Sequence, residues 1–271
     1  MTPQVSLIVV AYQAREHVLA CLESIAGHVA IDHEVITVDD GSTDGTAEAV
    51  RAAHPTARIV VRERNGGLVA GRNDGLAIAR GRNVLMLDAD TRVRTGAVEG
   101  LAAALDAHPE AGLVGPRLVY PDGDLQLSCF RWPPLLLPLM RRGPYARWID
   151  DDPPSHRRHS MKDFDHRSER PVVWLAGAAQ MYRRDLPDRI GPYDRRVSSY
   201  GGEDLEWCLR VWAAGMQVRY VPAAEIEHVS QKVTRQTPFG RASLRALADW
   251  YYIQLKHRRL RRDPRLAQAR A

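Results

Sequence analysis

Asp40, Asp88, Asp90, Glu203 and Asp204 are the residues whose types and spacing suit metal and proton chemistry. In NVLMLDADTRV, Asp88 and Asp90 flank one alanine at the end of an apolar run. Residues i and i+2 of a strand share a face, so at a strand terminus both carboxylates can turn toward one ligand. Two hard oxygen donors suit Mg²⁺ or Mn²⁺, which takes one or two carboxylates, some waters and the oxygens of a substrate diphosphate. A solvated strand end with a helix-capping aspartate accounts for the same string. In VDDGSTDGT, Asp40 ends another apolar run, and a carboxylate there can accept hydrogen bonds from nucleoside hydroxyl or imide groups. The plainer reading is a turn whose Ser42 or Thr43 caps the next helix. In GGEDLEWCLRVWAAG, Glu203 and Asp204 fall in the first turn of a helix. The helix dipole favours anions there, which predicts a depressed pKa and an ionised acid able to accept a proton as a weak base.

These residues need elements to position them. VSLIVVAY (5–12) is a continuous apolar run rich in β-branched residues, followed by HVLACLESIAGHV with Val18, Leu19, Leu22, Ile25 and Val29 at helical spacing. The same alternation recurs in EVITVDD, STDGTAEAVRAAH, ARIVVRE, GLVAGRNDGLAIARG, NVLMLDAD and GAVEGLAAALDAH. Apolar strands separated by amphipathic helices predict an α/β fold: a Rossmann-like, mostly parallel central sheet with helices on both faces. Ligands of such sheets bind at the carboxyl ends of the strands, so Tyr12, Asp39, Asp40, Asp88 and Asp90 are expected on one rim.

Beyond residue 115 the regularity weakens. LVYPDGDLQLSCF reads as a hairpin beside the sheet, turning at Pro-Asp-Gly. Residues 131–171, rich in Pro, Arg, His and Asp, keep no period and are expected to form a mobile loop. PVVWLAGAAQMYRRDL restores a strand, GGEDLEWCLRVWAAG is a helix closed by Gly215, and MQVRYVP is a further strand. GRASLRALADWYYIQLKHRRLRR reads as an amphipathic helix with Leu244, Leu247, Tyr251 and Leu255 on one face and a basic end.

The 271 residues, 45% hydrophobic and 26% charged, have globular proportions and suit one domain with appendages. A net charge of +5 permits an anionic partner without choosing one. Cys21, Cys129 and Cys208 are scattered and lack C-x-x-C spacing, which argues against a disulfide framework or zinc site and fits a reducing cytosol. The start MTPQVSLIVVAY lacks a basic leader, PPLLLPLM is far shorter than the roughly 20 residues of a spanning helix, and a cytoplasmic location is expected. VVAYQAREH has no glycine, which excludes the G-x-G-x-x-G of a dehydrogenase. No Gly-rich, lysine-bearing phosphate loop follows the first strand, as a nucleotidyltransferase would need.

In order, VSLIVVAYQA, VDDGSTDGT, NGGLVAGRNDG, LMLDADTRV, WLAGAAQMYRRD and GGEDLEWCLRVWAAG resemble the successive motifs of family 2 inverting glycosyltransferases with the GT-A fold. The resemblance runs from about residue 5 to 230 and is greatest to the rhamnosyltransferase-like branch, which uses dTDP-L-rhamnose. It implies metal-dependent inverting transfer of a sugar from dTDP-L-rhamnose, or otherwise a UDP- or GDP-sugar, to a hydroxyl of a glycan, lipid-linked or small-molecule acceptor. By the same resemblance, Ala11 and Tyr12 line the base pocket, Asp40 binds the base, Arg72 approaches the nucleotide and Asp88 lies on the ribose side. Asp90 holds the Mg²⁺ or Mn²⁺, and Asp204 is the general base with Glu203 as its substitute. His228 in AEIEHVS stands after the last strand, where relatives place a metal-ligating histidine; a lone histidine there is also commonly structural. Two departures stand out: Arg195 in YDRR, where the branch often has an acid, and the glycines of SSYGGED, where an aromatic often precedes the acid pair.

The resemblance divides the chain into a GT-A domain, 1–230, and a C-terminal amphipathic helix with a basic tail, 231–271. The domain has a donor-binding half, 1–115, and an acceptor-side half, 116–230. The run LKHRRLRR beside Trp250, Tyr251 and Tyr252 suits peripheral contact with an anionic lipid surface at the inner face of the membrane; a solvated helix end explains it equally. The alternative function is a non-catalytic nucleotide-sugar or nucleic-acid binding module. The retained Glu203 and Asp204 argue against the first, and a basic tail without a nucleic-acid motif is thin support for the second.

Overall fold

A computed structural model describes residues 2–135, 153–197, 202–229 and 241–270, with side chains from 245 onward in the last stretch. The first half is β1 (Val5–Ala11), α1 (Arg15–His28), β2 (His33–Asp39), α2 (Thr46–Ala53), β3 (Arg58–Val61), α3 (Leu68–Ile78), β4 (Asn83–Asp88), β5 (Thr91–Val93) and α4 (Ala97–Ala107). Every strand and helix expected there is present; β5 is additional. Next come β6 (Ala111–Val119), β7 (Leu125–Gln126), β8 (Cys129–Phe130), α5 (Pro154–His159), β9 (Arg170–Pro171), β10 (Trp174–Leu175), β11 (Ala179–Arg183) and α6 (Leu186–Ile190). The last elements are α7 (Glu203–Ala213), β12 (Gln217–His228), α8 (Arg241–Lys256) and α9 (Ala267–Arg270).

The main sheet runs β3-β2-β1-β4-β11-β6-β12-β5. Its first four strands are parallel, and β11 enters antiparallel to both β4 and β6. Strands β6 and β12 are parallel, with β5 antiparallel at the edge, and β7 forms the expected hairpin on β6. The central strands β1 and β4 are apolar on nearly every residue because both faces are covered. Val5, Leu7 and Val9 of β1 pack with Leu85, Leu87 and residues of α1 and α4. Ile8 and Val10 pack with Ile36, Val84, Met86, Val69 of α3 and Leu205, Leu209 and Trp212 of α7. A Cβ on Gly71 or Gly75 would stand 2.5 Å from Val10 Cγ1 or Ile8 Cγ2, so the two glycines let α3 settle against β1.

The structure corrects several local readings. Ser42 and Thr43 do not cap α2, which starts at Thr46 after Gly45. Instead Ser42 Oγ accepts from the Gln13 amide at 2.9 Å and the Thr43 amide donates to Gln13 Oε1 at 2.7 Å, fastening the loop after β1 to the loop after β2. Strand β12 runs well past MQVRYVP, because a register shift between Val221 and Glu225, around Pro222, lets it bend and continue. His228 is therefore the last residue of that strand, not a residue beyond it. Within 131–171, residues 153–171 pack against the body through α5 and β9, with His156, His159 and His166 buried; residues 136–152 lie outside the described residues. The buried side of α8 carries Asp249, Ile253 and Gln254, whereas Leu255 is 65% exposed and Leu244 lies outside the described side chains. Hydrophobicity misplaced that face because Gln254 is bound, accepting from Trp132 Nε1 and donating to the Pro133 carbonyl. All three cysteines are free and buried. Among the described residues no helix is long and apolar enough to cross a membrane.

Candidate active site

Strand β4 delivers Asp88 at its last residue, and the turn into β5 places Asp90 beside it. The Asp88 amide donates to the Ala178 carbonyl at 3.0 Å, and Thr91 Oγ1 donates to the Asp88 carbonyl at 2.8 Å, which fixes the turn. The edge pairing of β12 with β5 sets His228 opposite Thr91. Ligand atoms of Asp88, Asp90 and His228 consequently lie within 4.8 Å of one another. His228 Nε2 is 3.3 Å from Asp90 Oδ1, and its Nδ1 is 2.7 Å from Gln126 Oε1. With Nδ1 donating to Gln126, Nε2 is the nitrogen available to a metal. Two carboxylates and an imidazole, all partly buried, fit Mn²⁺ or Mg²⁺.

The electrostatics distinguish the two aspartates. Burial pushes Asp88 upward, against the pull of Arg72 and His228. Burial also opposes ionisation of Asp90, yet the hydrogen bond and charge of His228 hold it below the usual carboxylate range. His228 is raised despite burial because Asp90 stabilises its cation.

On the other side of Arg72 lies the acid pair. Glu203 and Asp204 open α7 and are 6% and 5% exposed. Asp204 accepts from the Leu205 amide at 2.7 Å and from the Gly177 amide at 2.9 Å. Arg72, 1% exposed, donates through Nη2 to Asp88 Oδ1 at 3.1 Å and to the Gly177 carbonyl at 2.9 Å. Its Nη1 lies 3.6 Å from Glu203 Oε1, and its Cζ is 5.5 Å from the Tyr193 ring centroid. One buried guanidinium thus ties the metal-type cluster to the acid pair. The expected depression of the acid pKa by the helix dipole is overturned: burial raises both groups, and Glu203 is raised further by the Asp204 charge. The dipole acts on a first turn whose two acids are almost fully buried, so desolvation dominates.

Ala11, Tyr12 and Asp40 gather at the neighbouring ends of β1 and β2, where the Asp40 amide donates to the Ala11 carbonyl at 2.9 Å. Tyr12 is 48% exposed and Asp40 only 2%. The Asp40 carboxylate accepts from the Gly66 and Gly67 amides at 2.9 and 2.8 Å and pairs with Arg62 Nε at 2.8 Å. It holds the turn that enters α3. Sequence reasoning missed Gln126, because the hairpin contact that brings it to His228 has no local signature. It also missed the double role of the Gly177 peptide, whose neighbours come from α3 and α7.

Residues 6–186 match the family described as Glycosyl transferase family 2. An N-acetylglucosaminyl-diphospho-decaprenol L-rhamnosyltransferase of Mycobacterium tuberculosis (strain ATCC 25618 / H37Rv) is 26% identical over 95% of this chain and 86% of its own length. Polypeptide N-acetylgalactosaminyltransferase 6 of Homo sapiens is 26% identical over 88% of this chain, which spans 40% of that protein. Among solved structures, GalNAc-T7 with UDP, GalNAc and Mn²⁺ superposes with a TM-score of 0.69 at 16% identity, covering 94% of this chain and 48% of its own. TarS of S. aureus superposes with a TM-score of 0.62 at 19% identity, covering 93% of this chain and 38% of its own. The chain thus spans less than half of these two longer structures. The fold they share is GT-A.

Proposed function

The chain belongs to glycosyl transferase family 2, and we propose that this glycosyltransferase is metal-dependent and inverting, with Asp204 as its general base. The observation that carries this reading is Arg72, whose one guanidinium contacts both Asp88 and Glu203 and so sets the Asp88, Asp90 and His228 cluster beside the acid pair. Asp90 and His228, with Asp88, would hold Mg²⁺ or Mn²⁺, which when bound neutralises the diphosphate leaving group. Ala11 and Tyr12 receive the nucleoside end, over the turn that Asp40 fastens, and Asp88 faces the ribose side. Asp204 takes the proton from the attacking acceptor hydroxyl, while its two backbone donors hold the carboxylate in place. Attack on the face opposite the leaving group inverts the anomeric centre.

The proposed donor is dTDP-L-rhamnose, before UDP- or GDP-sugars, and the proposed acceptor is a lipid-linked glycan; the name of the mycobacterial relative supports the L-rhamnosyl group and the lipid-linked acceptor. Peripheral contact with anionic lipid rests on the exposed arginines 258, 259, 261 and 262. Trp250 and Tyr252 pack against the core and do not join that contact. The test is a thermal-shift panel of nucleotide sugars with Mn²⁺. Stabilisation by dTDP-L-rhamnose that EDTA abolishes is expected; indifference to every nucleotide sugar would overturn the reading.

A further inference from the structure

Arg195, the departure from the resembled pattern, lines a cavity of about 550 Å³ together with Arg62, Arg245 of α8, the Asn65–Ala70 segment and Glu203. None of Asp88, Asp90, His228, Ala11 or Tyr12 lines it. It therefore borders the acid pair through Glu203 and the Gly66–Gly67 turn that Asp40 holds, and the metal-type residues are not in its wall. Its three cations are unequal. Arg62 is committed to Asp40 and Asp74. Arg195 and Arg245 are exposed and have no ion-pair partner among the described residues. Among the described residues of the wall the one acid is Glu203, whose ionisation is opposed by burial and by the Asp204 charge. The first turn of α3, Leu68 to Ala70, forms another part of the wall and contains no acid.

Two guanidinium groups with no ion-pair partner among the described residues, lining a pocket beside the acid pair, suit a phosphoryl group, which arginine binds through paired hydrogen bonds. We infer that this cavity is an acceptor subsite, in which Arg195 and Arg245 bind a phosphate or diphosphate carried by the acceptor while its hydroxyl reaches Asp204. The inference rests on the transferase reading above and adds the acceptor's chemical class: an anionic, phosphate-bearing glycan carrier. The donor's own diphosphate is the competing occupant. It belongs instead with Asp90 and His228, which lie outside this cavity.

The test measures binding to the full chain and its Arg195→Gln/Arg245→Gln variant. One probe is a short-chain alkyl diphosphate in EDTA; the other is dTDP with Mn²⁺. The wild-type protein is expected to bind the alkyl diphosphate, and the double variant to lose about tenfold or more of that affinity. Binding of dTDP with Mn²⁺ should be unchanged, which also shows that the variant is folded. Equal alkyl diphosphate affinity in the two proteins, or none in the wild type, would overturn the subsite. Loss of dTDP affinity in the variant would overturn it too, by assigning the arginines to the donor. Absence of dTDP binding in the wild-type protein would instead count against the donor reading, independently of the arginine result.

Discussion

Asp204 Oδ2 accepts a 2.9 Å hydrogen bond from the amide of Gly177, 27 positions earlier in the chain. A Cβ on residue 177 would lie 3.0 Å from Arg72 Nη2 and 3.1 Å from the Asp204 Cβ, so a side chain there would push one of them by a few tenths of an ångström. The contact orients one carboxylate of an adjacent pair; among the described residues Glu203 has no such amide from a distant segment. Asp204→Asn should accordingly lower kcat about 10²- to 10⁴-fold, the usual worth of a positioned base, while dTDP binding persists. Glu203→Gln should lose far less. Steady-state rates with the native acceptor decide it, and the reverse order would exchange the two roles.

The raised acids predict a pH profile. Asp204 has the Leu205 and Gly177 amides and Arg72 opposing the effect of its burial, so it ionises before Glu203, and its charge then keeps the proton on Glu203. Activity should rise with pH along a limb lying above the ordinary aspartate value of 3.8. Glu203→Gln should leave that limb in place, since a neutral side chain replaces one already neutral. Stability has the opposite sign. Groups with raised folded pKa values stabilise fully below their unfolded values, and that contribution is lost as pH rises through the folded ones. Glu203→Gln should therefore stabilise the protein at alkaline pH, by about 1–3 kcal/mol, and have little effect in acid. Tm measured across pH for both proteins checks the sign.

The Gln126 contact to His228 predicts an effect on the metal from a residue that is not a ligand. Gln126→Ala removes the partner that leaves His228 Nε2 free, and should weaken Mn²⁺ binding about 10- to 100-fold. His228→Ala and Asp90→Asn should weaken it at least as much. Titration calorimetry with Mn²⁺ reads all three; unchanged affinity in Gln126→Ala would reduce that contact to a packing detail.

The donor half was legible because its central strands β1 and β4 are buried on both faces and its helices on one, so local periodicity carries the alternation of β1 to β4 with α1 to α4. The acids at the strand ends were legible for the same reason. What could not be read locally was set by pairing between distant segments. Strand β5 has three residues and exists through its pairing with β12, and β12 is long only because the shift near Pro222 lets it continue. The pKa error on Asp204 has a similar origin. A helix N-terminus is visible in sequence, whereas its burial beneath Gly177 and Arg72 is a tertiary fact. On α8, polar residues with buried partners displaced the hydrophobic stripe from the face that Leu247, Tyr251 and Leu255 suggest.

Glu206, one turn beyond Glu203 on α7, shows what fastens α8. Its carboxylate is 1% exposed and accepts from Arg210 Nε at 2.9 Å and from Lys256 Nζ at 2.8 Å, with His257 Nε2 at 3.4 Å. Lys256 also reaches Asp194 Oδ2 at 2.9 Å, and Tyr252 Oη donates to the same oxygen at 3.0 Å. Burial works against the Glu206 charge, yet His257, Arg210 and Lys256 hold its pKa below the ordinary value of 4.5. Its contribution is thus present above that value and lost as pH falls through the lowered one. Glu206→Ala leaves Arg210 and Lys256 without their shared acid and should destabilise by about 3–5 kcal/mol, as breaking a buried ion pair does. Urea unfolding near neutral pH measures that loss, and hydrogen exchange locates it: amides of α8 should lose protection before those of β1 and β4. Because α8 carries Arg245 to the cavity, the same variant should weaken alkyl diphosphate binding while leaving dTDP binding with Mn²⁺ intact. Full protection of α8 in Glu206→Ala would mean that the apolar contacts of Ile253 and Leu260 hold the helix without the ion cluster.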